Sequence, residues 1–356
     1  MAILVSLASC KQASNDQTAD TSSKEDLAPK NIILLIGDGT GLSQVSAAQY
    51  YKNGPVNYER FPVVGLIKTS SSSDLVTDSA AGATAFASGI KTYNGAIGMN
   101  PDTLAVATIV EQAAERGLSS GVVSTSSITH ATPACFYAHV PLRRAHEDIA
   151  LQLVSSPIDY FAGAGTDYFA DRADGADLLN QLEEKGFYVD TTGLNLAADA
   201  AKAGYLLAGS AMPKAIEGRG DFLPAATQMG IDRLGSNDKG FFMMVEGSQI
   251  DWGGHDNDTE YLIGELIDFD DAIGVALDFA EKDGNTLVIV TADHETGGFT
   301  LAAKDGDYTY IEPSFSTDGH SATMVPVFAF GPGAEQFSGV YENTAIYDKM
   351  KALLLP

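Results

Sequence analysis

Asn31-Ile32-Ile33-Leu34-Leu35-Ile36-Gly37-Asp38-Gly39-Thr40-Gly41 is the stretch that decides the fold. Its apolar run is continuous rather than alternating, as in a parallel-sheet strand covered on both faces. It stops at a glycine-rich turn around Asp38, and a helix-like segment follows at 42–51. The same alternation recurs outward along the chain. Residues 65–69, 120–124, 158–162, 241–245, 286–291 and 325–330 read as strands. Residues 80–88, 103–116, 143–154 and 258–282 read as helices, with Gly89 and Gly117 as stops. Strands alternating with helices predict an α/β fold: a three-layer, doubly wound, mostly parallel central sheet flanked by helices. Residues 186–222 carry the weakest pattern, and within them 195–202 is a helix candidate.

The 356 residues, 45% of them hydrophobic, suffice for one large core. We expect a single folded domain over 30–356, preceded at 1–29 by a signal remnant and a polar tether. Lys and Arg total 21 against 47 Asp and Glu, a formal net charge of −26, and no basic tract is longer than Arg143-Arg144. Nucleic acid binding by phosphate neutralisation is therefore excluded as an expectation. An anionic ligand would need local positive charge, and bound metal ions are the obvious source. Near the N-terminus, Leu7-Ala8-Ser9-Cys10 resembles a bacterial lipobox with Cys10 as the lipidated residue. That implies a periplasmic or cell-surface location through a lipid on Cys10, with plain secretion as the alternative. Residues 11–29 are polar and without apolar period, as in a flexible tether. Cys135 is the only other cysteine, so the folded domain holds no internal disulfide. No later segment is long and apolar enough for a transmembrane helix.

In doubly wound sheets, ligands bind beyond the carboxyl ends of the strands. The chemistry-bearing residues fall there. Asp38 follows the first strand and Ser79 the segment after Lys68. His130 and Thr132 follow 120–124, Glu246 and Asp251 follow 241–245, and Asp293 and His294 follow 286–291. Ser79 enters the first turn of its helix behind Thr77 or Asp78 as cap, where free amides and the helix dipole favour negative charge. A serine hydroxyl still needs a base or metal to become a nucleophile. The stretch 245–255 holds Glu246, Asp251 and His255, and Asp293-His294 and Gly319-His320 add further donors. Imidazole with carboxylate suits zinc, whereas oxygen-only sets suit magnesium. Four of the six histidines (His130, His255, His294, His320) stand beside strand ends, while His139 and His146 read as structural. A bland capped helix with surface histidines would scatter these residues instead.

Together these stretches resemble the alkaline phosphatases. NIILLIGDG (31–39), TDSAAGATA (77–85), ITHATPA (128–134) with AHVPLRR (138–144), VEGSQIDWGGH (245–255), TADHETGG (291–298) and GHSA (319–322) fall in that family's order and at compatible spacings. The resemblance runs over residues 31–347. It implies a homodimeric enzyme that hydrolyses phosphate monoesters to alcohol and inorganic phosphate through a phosphoserine, using two zinc ions and one magnesium ion. It implies Ser79 as nucleophile, with Asp251, His255 and His320 at one zinc. Asp38, Asp293 and His294 are implied at a second zinc that also meets the Ser79 oxygen. Asp38 would bridge to a magnesium held by Glu246 and Thr132, and Arg143 would clamp the phosphate as a bidentate fork. Two positions depart from the best-known bacterial members: His130 stands where those carry Asp, and Trp252 where they carry Lys. Other compact members share this pair. His130 bears on the third metal, and Trp252 removes a cation from the phosphate, which predicts weaker product retention.

Two readings compete. One is a phosphodiesterase or sulfatase of the same superfamily. Sulfatases need C/S-x-P-x-R where this chain has Ser79-Ala80-Ala81-Gly82-Ala83, and diesterases of this fold usually use Thr and lack an Arg like Arg143. The other is a non-catalytic surface lipoprotein that binds zinc or phosphate. A binder has no need of a serine at a helix start aimed into a metal cluster.

Overall fold

The computed structural model describes residues 28–170, 172–195 and 200–355. In chain order the strands begin with β1 (Asn31–Gly37), β2 (Val63–Lys68), β3 (Ser119–Ser127), β4 (Tyr160–Ala164), β5 (Phe187–Asp190), β6 (Lys202–Leu206), β7 (Phe241–Gly247) and β8 (Thr286–Thr291). Next, β9 (Glu295–Thr296) pairs with β12 (His320–Ser321), and β10 (Thr300–Lys304) with β11 (Asp307–Ser314), as two small antiparallel sheets. β13 (Val325–Phe330) and β14 (Gly339–Glu342) rejoin the main sheet. Its order is β14-β2-β13-β8-β1-β7-β3-β4-β6-β5, parallel except for β13, which runs antiparallel to β2 and β8.

The helices are α1 (Leu42–Tyr51), α2 (Ser79–Ser88), α3 (Ile109–Glu115), α4 (Ala131–Ala134), α5 (His146–Ser155), α6 (Thr166–Phe169), α7 (Leu178–Glu184), α8 (Phe222–Leu234), α9 (Gln249–His255), α10 (Thr259–Asp283) and α11 (Thr344–Leu354). The unbroken apolar run of β1 now has its reason. Ile32, Leu34 and Ile36 point into one core, and Ile33 and Leu35 into the other. The first core is closed by side chains of α2, α3, α5, α7 and α11, the second by α1, α8 and α10. Burying each such Ile or Leu stabilises the fold by about 1.5–3 kcal/mol. The longest helix, α10, starts where Asp258 accepts from the Glu260 and Tyr261 amides and stops at Gly284, at φ 72°.

Three expected helices need correction. The one at 103–116 begins only at Ile109. Thr108 accepts from the Glu111 amide while Glu111 accepts from the Thr108 amide, a capping box, and Thr103 lies in the left-handed region at φ 59°. The helix at 143–154 begins at His146, so Arg143 lies in the turn before it, its amide donating to the Gly95 carbonyl. In the candidate at 195–202, Asn195 belongs to a loop folded around Asp190 and Lys202 opens β6, while 196–199 fall outside the described residues. The signal remnant and tether at 1–29 also fall outside them, apart from the last two positions. The other expected elements form within three residues of their bounds. Among the described residues no helix is long and apolar enough to cross a membrane.

Candidate active site

β8, β1, β7 and β3 are neighbours in the sheet, so the residues that follow them converge at one edge. Asp38, Glu246 and Asp293 are fully buried there. The turn after Asp38 requires glycine: Gly39 has φ +75°, and a Cβ on it would stand 2.8 Å from the Asp251 Cα. Asp78 caps α2 by accepting from the Ala81 amide at 3.0 Å, which sets Ser79 in the first turn. The Ser79 Oγ, buried, lies 3.3 Å from His294 Nε2. The β9–β12 pairing sets His320 opposite Thr296 and so delivers the last histidine.

Three groups of donors are spaced to hold a cation: Asp251 with His294 and His320; Asp38 with Asp293 and His294; and Asp38 with His130 and Glu246. His255 adjoins the first, its Nε2 3.4 Å from Asp251 Oδ2 and 3.1 Å from His320 Nε2. The protons say what belongs between these rings. His255 Nδ1 lies 2.6 Å from the Asp318 carbonyl and His320 Nδ1 2.9 Å from the Thr77 carbonyl. A carbonyl only accepts, so each Nδ1 carries a proton, and the tautomer this selects is the one that can turn an Nε2 lone pair inward to a cation. The two Nε2 atoms, 3.1 Å apart, then face one point, where a cation would take both as ligands. The carboxylates agree. Both Asp38 oxygens, Asp293 Oδ2, Glu246 Oε1 and the Thr132 hydroxyl are buried without a hydrogen-bond partner. Unpaired buried anions are costly. Burial first, then repulsion from Asp293, Asp251 and Glu246, pushes Asp38 well above the usual carboxylate range. Burial likewise raises Glu246 to about 7, against the hydroxyls of Ser124 and Ser248. These donors fit metal ions.

Arg143 stands beside this cluster. Its Nη1 donates to Asp78 Oδ2 at 3.0 Å, and its Nη2 is 3.4 Å from His130 Nε2. Burial, then the nearby Arg143 and His146 charges, pulls His130 down to about 3, so its ring stays neutral at any working pH. Trp252 meets His130 edge-on with ring centres 5.8 Å apart. The two remaining histidines are structural, as the sequence suggested. His139 bridges the Gly98 carbonyl and Glu111, and His146 stacks on Tyr168.

Five residues have supporting roles that escaped the sequence reading, which names Asp78 only as a candidate helix cap. Asp78 orients Arg143 as well as capping α2. Ser124 and Ser248 donate to Glu246 Oε2 at 2.5 and 2.6 Å, leaving Oε1 to the cluster. Thr296 donates to Asp251 Oδ1 at 2.5 Å. Glu295 accepts from Gln44, the Phe299 amide and Ser321, tying down the strand that carries His320. A polar residue beside a suspected ligand was the available signal, present in the neighbours of Ser79, Glu246 and His294.

A buried serine at a helix start, facing adjoining carboxylate–imidazole clusters at the strand ends of a doubly wound sheet, defines an α/β metal-binding hydrolase. The comparisons narrow the class. The alkaline phosphatase family profile matches residues 29–314. Alkaline phosphatase 3 of Bacillus subtilis is 35% identical over 89% of this chain and 87% of its own length. The alkaline phosphatase of Escherichia coli is 34% identical over 97% and 90%. The solved alkaline phosphatase of the Antarctic bacterium TAB5 is 57% identical, with a TM-score of 0.91 over 92% of this chain and 98% of its own. A variant of that enzyme with one histidine replaced by aspartate was solved with Mg bound in its M3 site. This chain belongs to the alkaline phosphatase family. It is a phosphomonoester hydrolase, from a family that depends on metal ions and works through a phosphoserine.

Proposed function

We propose that Ser79 is the residue that carries the phosphoryl group between the substrate alcohol and water, with Arg143 holding phosphate oxygens. The observation that carries this is the Ser79 Oγ, 3.3 Å from His294 Nε2 and at the edge of buried carboxylate oxygens that lack partners. Asp251, His255 and His320 would hold one zinc, and Asp38, Asp293 and His294 the other. Asp38, Glu246 and Thr132, with His130 alongside, would hold a magnesium ion. When bound, the metals supply positive charge that offsets the phosphate dianion and favours the ionised hydroxyl.

The chain's own residues do the rest. The Ser79 Oγ gives up its proton as it attacks phosphorus, the ester P–O bond breaks, and the departing oxygen takes up a proton to leave as the alcohol. Water then attacks the phosphoserine, inorganic phosphate departs, and the Ser79 oxygen regains a proton. The free amides of the first turn of α2 favour negative charge on that oxygen. Arg143, aimed by Asp78, offers two parallel N–H donors to the phosphate. Trp252 adds no cation, so phosphate is held less tightly afterwards.

Acid quenching during turnover of p-nitrophenyl phosphate, followed by peptide mass spectrometry, should find phosphate on Ser79. Full turnover by Ser79→Ala would end this assignment. Hydrolysis of bis-p-nitrophenyl phosphate at a comparable rate would favour the diesterase reading. The resemblance and the Leu7–Cys10 stretch also support a homodimer and a lipid on Cys10 holding the enzyme in the periplasm or at the cell surface. Light scattering and labelled-lipid incorporation into wild type against Cys10→Ser test these two.

A further inference from the structure

Thr296 lies at the seam between the two histidine clusters and is fully buried in β9. Its hydroxyl donates to Asp251 Oδ1 at 2.5 Å and stands 3.2 Å from His294 Nδ1. The direction of both bonds follows from the chemistry. A carboxylate oxygen only accepts, so the hydroxyl proton is committed to Asp251. The Thr296 oxygen then accepts from His294 Nδ1–H. The lone pair of that ring is thereby fixed on Nε2, which faces Asp38, Asp293 and Ser79. The backbone of Thr296 is held as firmly. Its amide donates to the Gly39 carbonyl at 3.1 Å, its carbonyl accepts from Gln44 Nε2 at 3.0 Å, and it sits in register with His320. A single oxygen atom therefore touches one donor from each cluster, and its residue is pinned to Gly39, beside Asp38, and paired with His320 itself.

We propose that Thr296 is a positioning residue that couples the two zinc sites. Its hydroxyl sets the Asp251 carboxylate and the His294 ring together, so that filling one site pre-orders the other. The inference rests on the assignment of zinc to both clusters made above. A merely structural threonine would lend stability without touching metal affinity.

The test is zinc titration of the metal-free protein against a chromophoric chelator. Wild type should take up two zinc ions cooperatively. Thr296→Val keeps the shape and deletes the hydroxyl; it should weaken both sites by about 10–100-fold, as loss of an outer-shell partner does, and abolish the cooperativity. Thr296→Ser should stay within a few-fold of wild type. Unchanged affinities in Thr296→Val, or a change at one site only, would overturn the coupling. Wild type failing to bind two zinc ions would instead overturn the zinc assignment. Should Thr296→Val not fold, 15N-histidine spectra of metal-free wild type decide: His294 as the Nδ1–H tautomer is expected, and the Nε2–H tautomer refutes the proposal.

Discussion

Gly82 sits in α2 three residues beyond Ser79, and Gly82→Ala sets two effects against each other. Helix propensity favours alanine by about 0.8–1 kcal/mol. Packing opposes it. An added Cβ would stand 2.9 Å from the Asp293 Cβ, whereas ordinary contact begins at 3.4 Å. Neither side is a flexible tip: Asp293 is fully buried, and every residue of α2 is buried too. Helix and carboxylate must therefore part by about half an ångström. Overpacking of this kind costs about 1–3 kcal/mol, so packing prevails and the net loss is about 1 kcal/mol. Activity should suffer more than stability, because the displacement falls on Ser79's helix and on a proposed zinc ligand together. A misplacement of about 1 Å can cost about 100-fold, so half of that should lower kcat/KM for p-nitrophenyl phosphate about tenfold, equivalent to ~1.4 kcal/mol. Urea midpoints and initial rates, both with saturating zinc, measure the two effects. A Gly82→Ala protein more stable than wild type and fully active would refute the reasoning, since propensity would then have prevailed.

Trp252→Lys restores a cation beside the phosphate and should tighten inhibition by inorganic phosphate about tenfold, roughly one charge-assisted hydrogen bond; an unchanged inhibition constant would count against Trp252 easing product release. His130→Asp replaces a neutral imidazole beside Asp38 and Glu246 with a hard oxygen donor, so magnesium should bind more tightly in calorimetric titration. Glu246, ordinarily near 4.5, titrates near 7 in the fold, so the folded state holds its proton more firmly than the unfolded chain does. Its contribution to the metal-free protein is therefore complete below about 4.5 and lost as pH rises through about 7. Melting of metal-free protein should fall across that window while the gain from added zinc and magnesium grows, because the ligands must be deprotonated. A metal-independent melting profile would contradict this.

How far the sequence could be read depended on whether the signal was local. β1 and β8 read correctly because burial on both faces leaves an uninterrupted apolar run, and Gly89 and Gly117, both at positive φ, marked helix ends through backbone geometry alone. The donors at the strand tips were legible for a related reason: a parallel sheet aligns its carboxyl ends, so position in the chain predicts position in space. The helix at 103–116 misled because its opening, Thr103-Leu104-Ala105-Val106-Ala107, is mostly apolar and runs into Ile109 with no break in composition, and the decisive Thr108–Glu111 box is only four residues long. Arg143 was read into a helix that begins three residues later, yet its placement in the turn is what brings it to Asp78. Thr296 and Ser124 were invisible for a deeper reason. A hydroxyl's worth lies in which distant carboxylate it meets, and no pattern along the chain records that Ser124 meets Glu246.

The charge balance and the chemistry are one fact. The chain carries −26 overall, and it buries Asp38, Glu246 and Asp293 together at its active edge. A phosphate dianion is repelled by both. Arg143 is the guanidinium beside this cluster, and Asp78 already holds its Nη1. The protein alone thus offers its substrate a negative pocket with one half-neutralised cation. Replacing the buried acids would ease the repulsion and relieve the raised carboxyls, but it would also remove the donors that collect divalent charge. The fold instead accepts local instability in the metal-free state, visible in the upward push on Asp38, so that bound metals reverse the sign of the pocket. Recognition of the dianion and dependence on metal then fail together, because both reside in the same unpartnered oxygens.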